Sequence, residues 1–153
     1  MVNLVICDRI NPLEDIEFIS SMVSSKNIRL IDVLNIFTPE DVILFFEKVP
    51  DNVQITLVKP FSVKSLLAEA LKISKDEFVV IYGLPCNSLD RALGYPCSFI
   101  LFWFMDRIVE NSVDSMFFLL SDDTVVLSVF HSLFNKVFLK VMSPTGPTFK
   151  ELK

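Results

Sequence analysis

Hydrophobic positions change period repeatedly along the chain, and each change marks an element. Residues 2–7 form an apolar run broken only by Asn3 and rich in Val and Ile, the pattern of a strand covered on both faces. Asn11-Pro12 then supplies a helix cap and a first-turn proline, and Leu13, Ile16, Ile19 and Val23 follow at helical spacing. The alternation recurs. A strand is predicted over 28–33, then a helix opened by Thr38-Pro39-Glu40-Asp41 with Val42, Leu44, Phe45 and Phe46 on its apolar face. Residues 53–58 read as a strand, Ser62 opens a helix carrying Leu66, Leu67, Ala70 and Leu71, and 78–82 is the next strand. Prolines and two of the three glycines fall within 83–96, which predicts a long loop. Residues 99–109 suit a helix, apolar all round as far as Asp106. A strand over 115–120 follows, then a helical segment capped by Asp123 or Thr124 with Val126, Val129, Phe130 and Leu133. Next comes a strand over 136–142, and a turn or tail over 143–153. Strand and helix in alternation predict an α/β fold: one domain over 1–153, a three-layer α-β-α sandwich with a mostly parallel sheet. An antiparallel orientation stays open for the C-terminal strand.

Length and composition fit that architecture. A chain of 153 residues matches one ordinary domain and buries roughly two-thirds of its unfolded surface. Apolar residues make up 52% against 22% charged, which excludes disorder. The longest apolar run, 99–105, stops at Asp106, far short of the roughly 20 residues that cross a bilayer, so no membrane span is expected. No basic segment precedes the first apolar run, and Asp8 and Arg9 interrupt it too early for a signal peptide, so a cytoplasmic location is expected. With a net charge of −5 and scattered lysines, the chain is a poor autonomous nucleic-acid binder. Cys7, Cys86 and Cys97 form no C-x-x-C pair and have only His131 to join them, so no metal and no other cofactor is expected. Buried free thiols are the favoured reading. A Cys86 to Cys97 disulfide is the alternative, and it calls for an unusual compartment or organism.

The segment Leu30-Ile31-Asp32-Val33-Leu34-Asn35-Ile36-Phe37-Thr38-Pro39-Glu40 resembles the second core strand and following turn of the RecA/RadA recombinases, in which an Ile-Asp pair, a Phe and a Pro-Glu stand at this spacing. Phe130-His131-Ser132, running on to Lys136-Val137-Phe138-Leu139-Lys140, is similar to that family's histidine-containing helix and basic-flanked strand. The intervening strands match the family's order, and the likeness covers nearly the whole chain. It implies a RecA-like core.

The departures matter as much. A P-loop needs glycines whose backbone N–H groups approach phosphate, followed by a lysine and a hydroxyl residue. The equivalent turn here, Asp8-Arg9-Ile10-Asn11-Pro12-Leu13-Glu14-Asp15, has neither glycine nor lysine, and Glu14 and Asp15 stand where a helix dipole would attract a triphosphate. Lys64-Ser65 is the only Lys-Ser/Thr pair, and no glycine precedes it. The family's catalytic glutamate falls on Leu34, and the acidic residue that ends its fourth strand and holds Mg²⁺ falls at Tyr82-Gly83. Of the two DNA-contacting loops, one is reduced to Ser121-Asp122-Asp123-Thr124 and the other, 83–96, offers only Arg91. The resemblance thus implies a degenerate, non-catalytic paralog without ATPase activity that reaches DNA only indirectly.

Other candidates have plainer readings. His131 lacks a carboxylate and a nucleophile at recognisable spacing, so a structural or surface histidine is favoured. Cys86 follows a strand, where nucleophiles occur, but no base can be assigned to it. Asp32 ends a strand, where α/β sites form, and capping the next turn explains it equally well. The aromatic helix is the preferred functional feature: Phe99, Phe102, Trp103 and Met105, with Phe104, are hot-spot residue types on a helix without a polar face for two turns, and core packing is the alternative. Two functions follow. One is an interaction or regulatory subunit that pairs with itself or with another RecA-like protein, in recombination or repair. The other is a small-molecule enzyme or binding protein with its site near Asp32, Tyr82 and Cys86. Nucleotide binding without hydrolysis, through a rebuilt site, is a third.

Overall fold

The computed structural model describes residues 1–86, 97–121 and 131–153. Along the chain come β1 (Val2–Cys7), α1 (Pro12–Met22), β2 (Asn27–Asp32), α2 (Pro39–Lys48), β3 (Gln54–Val58), α3 (Val63–Ala70), β4 (Glu77–Pro85), α4 (Cys97–Glu110), β5 (Asp114–Leu120), β6 (Lys136–Ser143) and β7 (Gly146–Glu151). The strands form one sheet in the order β3-β2-β4-β5-β1-β6-β7. Every neighbouring pair is parallel except β6 and β7.

Helix starts follow from local chemistry. The Asn11 side chain accepts from the Leu13 N–H with Pro12 next in line, while Thr38 with Asp41 and Ser62 with Ser65 form capping boxes at α2 and α3. Alternation along each strand then divides the core. Leu4, Ile6, Val79, Ile81, Phe117 and Leu119 face α3 and α4, packing with Leu66, Ile100 and Phe104. Val5, Cys7, Val80, Tyr82, Met116 and Phe118 face α1 and α2, packing with Ile16, Ile19 and Phe45. The result is the expected three-layer α-β-α sandwich.

Several expectations need correction. β4 continues through Pro85 into the stretch read as loop, with a register shift between Tyr82 and Leu84 and Gly83 at φ 88°. The rest of that loop, with Arg91, lies outside the described residues, and so does the segment from Asp122 and Asp123 to Phe130. The stretch 143–153 is no tail: Gly146, at φ 121°, turns the chain into β7, whose Phe149 stacks on Phe18 with ring centroids 4.0 Å apart. The strand of residues 136–142 therefore runs parallel to β1, and the antiparallel strand is the one after it. Leu13, assigned to the apolar stripe of α1, faces water. Among the described residues no helix is long and apolar enough to cross a membrane.

Candidate functional site

In parallel α/β sheets, ligands gather beyond the carboxyl ends of the strands. Three segments meet there: the turns after β1 and β2, and the end of β4.

The turn after β1 is filled by the protein itself. Asp15, fully buried, accepts a hydrogen bond from the Tyr82 hydroxyl and another from the Asn11 N–H at 3.2 Å. Its other oxygen lies 2.7 Å from the Lys140 ammonium, which reaches in from β6 and is itself almost wholly buried. Lys140 also donates to the Arg9 carbonyl at 3.5 Å and stands 3.7 Å from Glu14, which pairs with Arg9 at 3.0 Å. Negative charge does occupy this turn, as the sequence indicates, but a buried cation balances it. Sequence reading placed Lys140 only as the basic flank of a strand. Its role depends on β6 lying beside β1, a contact between segments more than 100 residues apart.

Burial keeps the neighbouring groups protonated. It pushes the Cys7 thiol up to about 12, with the nearby Asp15 charge adding to the effect, and the Sγ donates to the Leu119 carbonyl at 3.4 Å. The Tyr82 hydroxyl is raised for the same reasons in the same order, burial first and Asp15 second. Neither group is poised as a nucleophile.

The turn after β2 is held by Asp32. Its carboxylate, fully buried, accepts from the Ile36 N–H at 3.0 Å, the Phe37 N–H at 2.8 Å and the Lys59 ammonium at 2.8 Å. Lys59 also donates to the Phe37 carbonyl at 2.6 Å. Of the two readings given to Asp32, these bonds support the turn cap.

At the end of β4, an added Cβ on Gly83 would lie 2.5 Å from the Ile10 side chain and 3.6 Å from that of Leu34. Ile10 and Leu34 therefore close over the strand end with hydrocarbon. Cys86 and Cys97 are joined by a disulfide with a Cα–Cα distance of 5.5 Å, which corrects the favoured reading of free thiols; Cys7 alone stays free. Asp32, Tyr82 and Cys86 are each buried, and their side chains are engaged in these bonds. The cleft near this edge, about 180 Å³, is lined instead by apolar groups such as Val33, Leu34, Phe61 and Val63. His131 opens a short 3-10 turn, and its side chain lies outside the described residues.

The Asp15–Lys140 ion pair fills the turn after β1, and Leu34, in the turn after β2, and Tyr82, near the end of β4, offer no carboxylate there.

The aromatic helix α4 divides cleanly. Ile100, Leu101, Phe104 and Ile108 enter the core, and Met105, only 9% exposed, goes with them. Met105 thus leaves the proposed partner face. Phe99, Phe102 and Trp103 stay 55%, 47% and 37% exposed on the opposite side. Phe99 and Trp103 lie ring to ring at 5.9 Å, and the Trp103 indole donates to the Leu67 carbonyl at 2.9 Å.

Compared by sequence, the chain matches no protein-family model and no curated protein. Its structure is similar to that of a KaiC-like protein, PH0186, from the hyperthermophilic archaeon Pyrococcus horikoshii OT3. The TM-score is 0.60 at 13% identity, over 98% of this chain and 75% of that one. The chain has a RecA/KaiC-like fold.

Proposed function

We propose that this chain is a non-catalytic RecA-like paralog that acts by binding protein, either a further copy of itself or another RecA-like protein. The observation that carries the reading is the Asp15–Lys140 pair, because it occupies with the chain's own charges the place where a RecA-like ATPase would hold phosphate. Leu34 and Tyr82 at the positions of the lost carboxylates point the same way. The exposed Phe99, Phe102 and Trp103 supply the binding chemistry, since aromatic side chains anchor most interfaces. The recombinase resemblance suggests DNA recombination or repair as the process, with nucleic acid reached through the partner.

Calorimetry with ATP and Mg²⁺ tests the first half, with no saturable heat expected; saturable binding would overturn the reading. For the second half, Phe99→Ser with Phe102→Ser should weaken association measured by light scattering at tens of micromolar while the circular dichroism spectrum stays unchanged. Undiminished association by that double variant would remove α4 from the interface.

A further inference from the structure

Two helices on opposite faces of the sandwich carry matching surfaces of opposite charge. On α2, Glu40, Ile43, Phe46 and Glu47 are all exposed and share one side of the helix, so an apolar pair is flanked by carboxylates. On α3 and the residues just after it, Lys64, Ala68, Leu71 and Lys72 are all exposed on one side, so an apolar pair is flanked by ammonium groups. The charges are spaced alike along the chain, seven residues apart on α2, about 10 Å at helical rise, and eight residues apart from Lys64 on α3 to Lys72 in the turn after it. Lys72 leans on Glu69 at 2.9 Å, yet its side chain stays 61% exposed.

The apolar ground beside α3 continues onto α4. The Trp103 indole meets the Leu67 carbonyl and Arg107 donates to the Ala70 carbonyl at 3.4 Å, so the two helices run side by side, offset by 36 or 37 positions. That register sets Phe99 level with Val63, and both are exposed. An α2 lying on α3 would cover Leu71 and reach the edge of this seam.

We propose that the α2 surface of one copy docks on the α3 surface of a second copy. This inference rests on the reading of the chain as an interaction subunit and names its partner and contact. Both halves belong to one chain, and carboxylate meets ammonium at both ends of an apolar pair, which is the arrangement that selects a partner and its register. The two halves differ, so the contact is head-to-tail. Each added copy leaves one α2 and one α3 uncovered, and assembly continues until a ring closes or a filament grows.

Charge exchange tests this. Sedimentation equilibrium of the wild-type chain at about 100 μM, a concentration suited to a contact of less than standard size, should give a mean mass above that of a monomer and rising with concentration. E40K/E47K alone and K64E/K72E alone should each weaken association at least about tenfold, because like charges then face each other. An equimolar mixture of the two should associate as the wild type does, since every contact in it can again pair opposite charges. Circular dichroism of each variant checks that it is folded. A wild-type monomer at this concentration, variants that associate alone as the wild type does, or a mixture that stays monomeric would each overturn the proposal. Nucleotide calorimetry on the same samples reads the parent reading separately: saturable ATP binding defeats that reading, whereas failed charge exchange with no ATP binding defeats only the α2–α3 contact.

Discussion

The turn after β1 and the outer side of α4 depart from the usual distribution of residue types in opposite directions. In the turn, a carboxylate and an ammonium are taken out of water; on α4, three aromatic rings are left in it. The turn balances its charge from within, because the buried Asp15 carboxylate lies against the buried Lys140 ammonium, and opposite charge is the condition under which buried charge is tolerated. The aromatic side stays partly in water, although the Trp103 indole bond to α3 and its ring contact with Phe99 tie it to the chain. A closed polar site and an open apolar one in the same domain distinguish what the fold has sealed from what it offers.

The largest effect is expected from breaking the seal. Lys140→Met should destabilise the protein by about 3–5 kcal/mol in urea denaturation, because Asp15 is left buried without its cation. Adding Asp15→Asn to that variant should restore more than half of the loss. A loss under about 1 kcal/mol would mean that the turn does not depend on the pair. Next comes the disulfide, which joins the end of β4 to the start of α4 across a sequence separation of 11. Replacing Cys86 and Cys97 together with Ser should cost about 3 kcal/mol, read as a lower Tm. The smallest effect is pH-dependent. The Cys7 thiol is raised from 9.0 to about 12 in the folded state, so the unfolded chain loses this proton first as pH rises. The contribution is intact below pH 9 and declines as pH rises from 9 toward 12, because the unfolded chain gives up this proton while the folded one keeps it. In Cys7→Ala the denaturation midpoint should fall less steeply over that range; an unchanged slope would place the thiol outside the buried cluster.

The fold was legible where local pattern and global position agree. The caps at Asn11, Thr38 and Ser62 and the period of each buried strand depend on neighbours a few residues away, and β1 to β6 and the four helices lie within a few residues of the positions that pattern gives them. What escaped depends on distant pairing. β7 reads as a tail because Gly146 and Pro147 signal a turn. Proline is tolerated there because β7 is an edge strand, and the Phe149 stack on Phe18 that holds it spans the domain. Asp15 was correctly seen to occupy the first turn, but its partner Lys140 lies 125 positions away, and nothing in a lysine on an alternating strand marks it as buried. Met105 was grouped with Phe99, Phe102 and Trp103 by composition. Helical angle separates it, since it falls one residue after Phe104 on the core side.

The hydrocarbon closure at Gly83 limits how this end of the sheet can be altered. Ile10 presses so near that strand end that a Cβ would not fit, and Leu34 lies against the same spot. Installing a glycine-rich loop after β1 would leave Lys140 without its carboxylate, and removing Lys140 would strand Asp15; Ile10 and Leu34 would still have to give way. A glycine-rich loop there thus calls for replacements in at least three separate segments, around Ile10 and Asp15, at Leu34 and at Lys140. A change confined to one of these segments would leave the other two unmatched, so this strand end keeps its present lining unless all three change together.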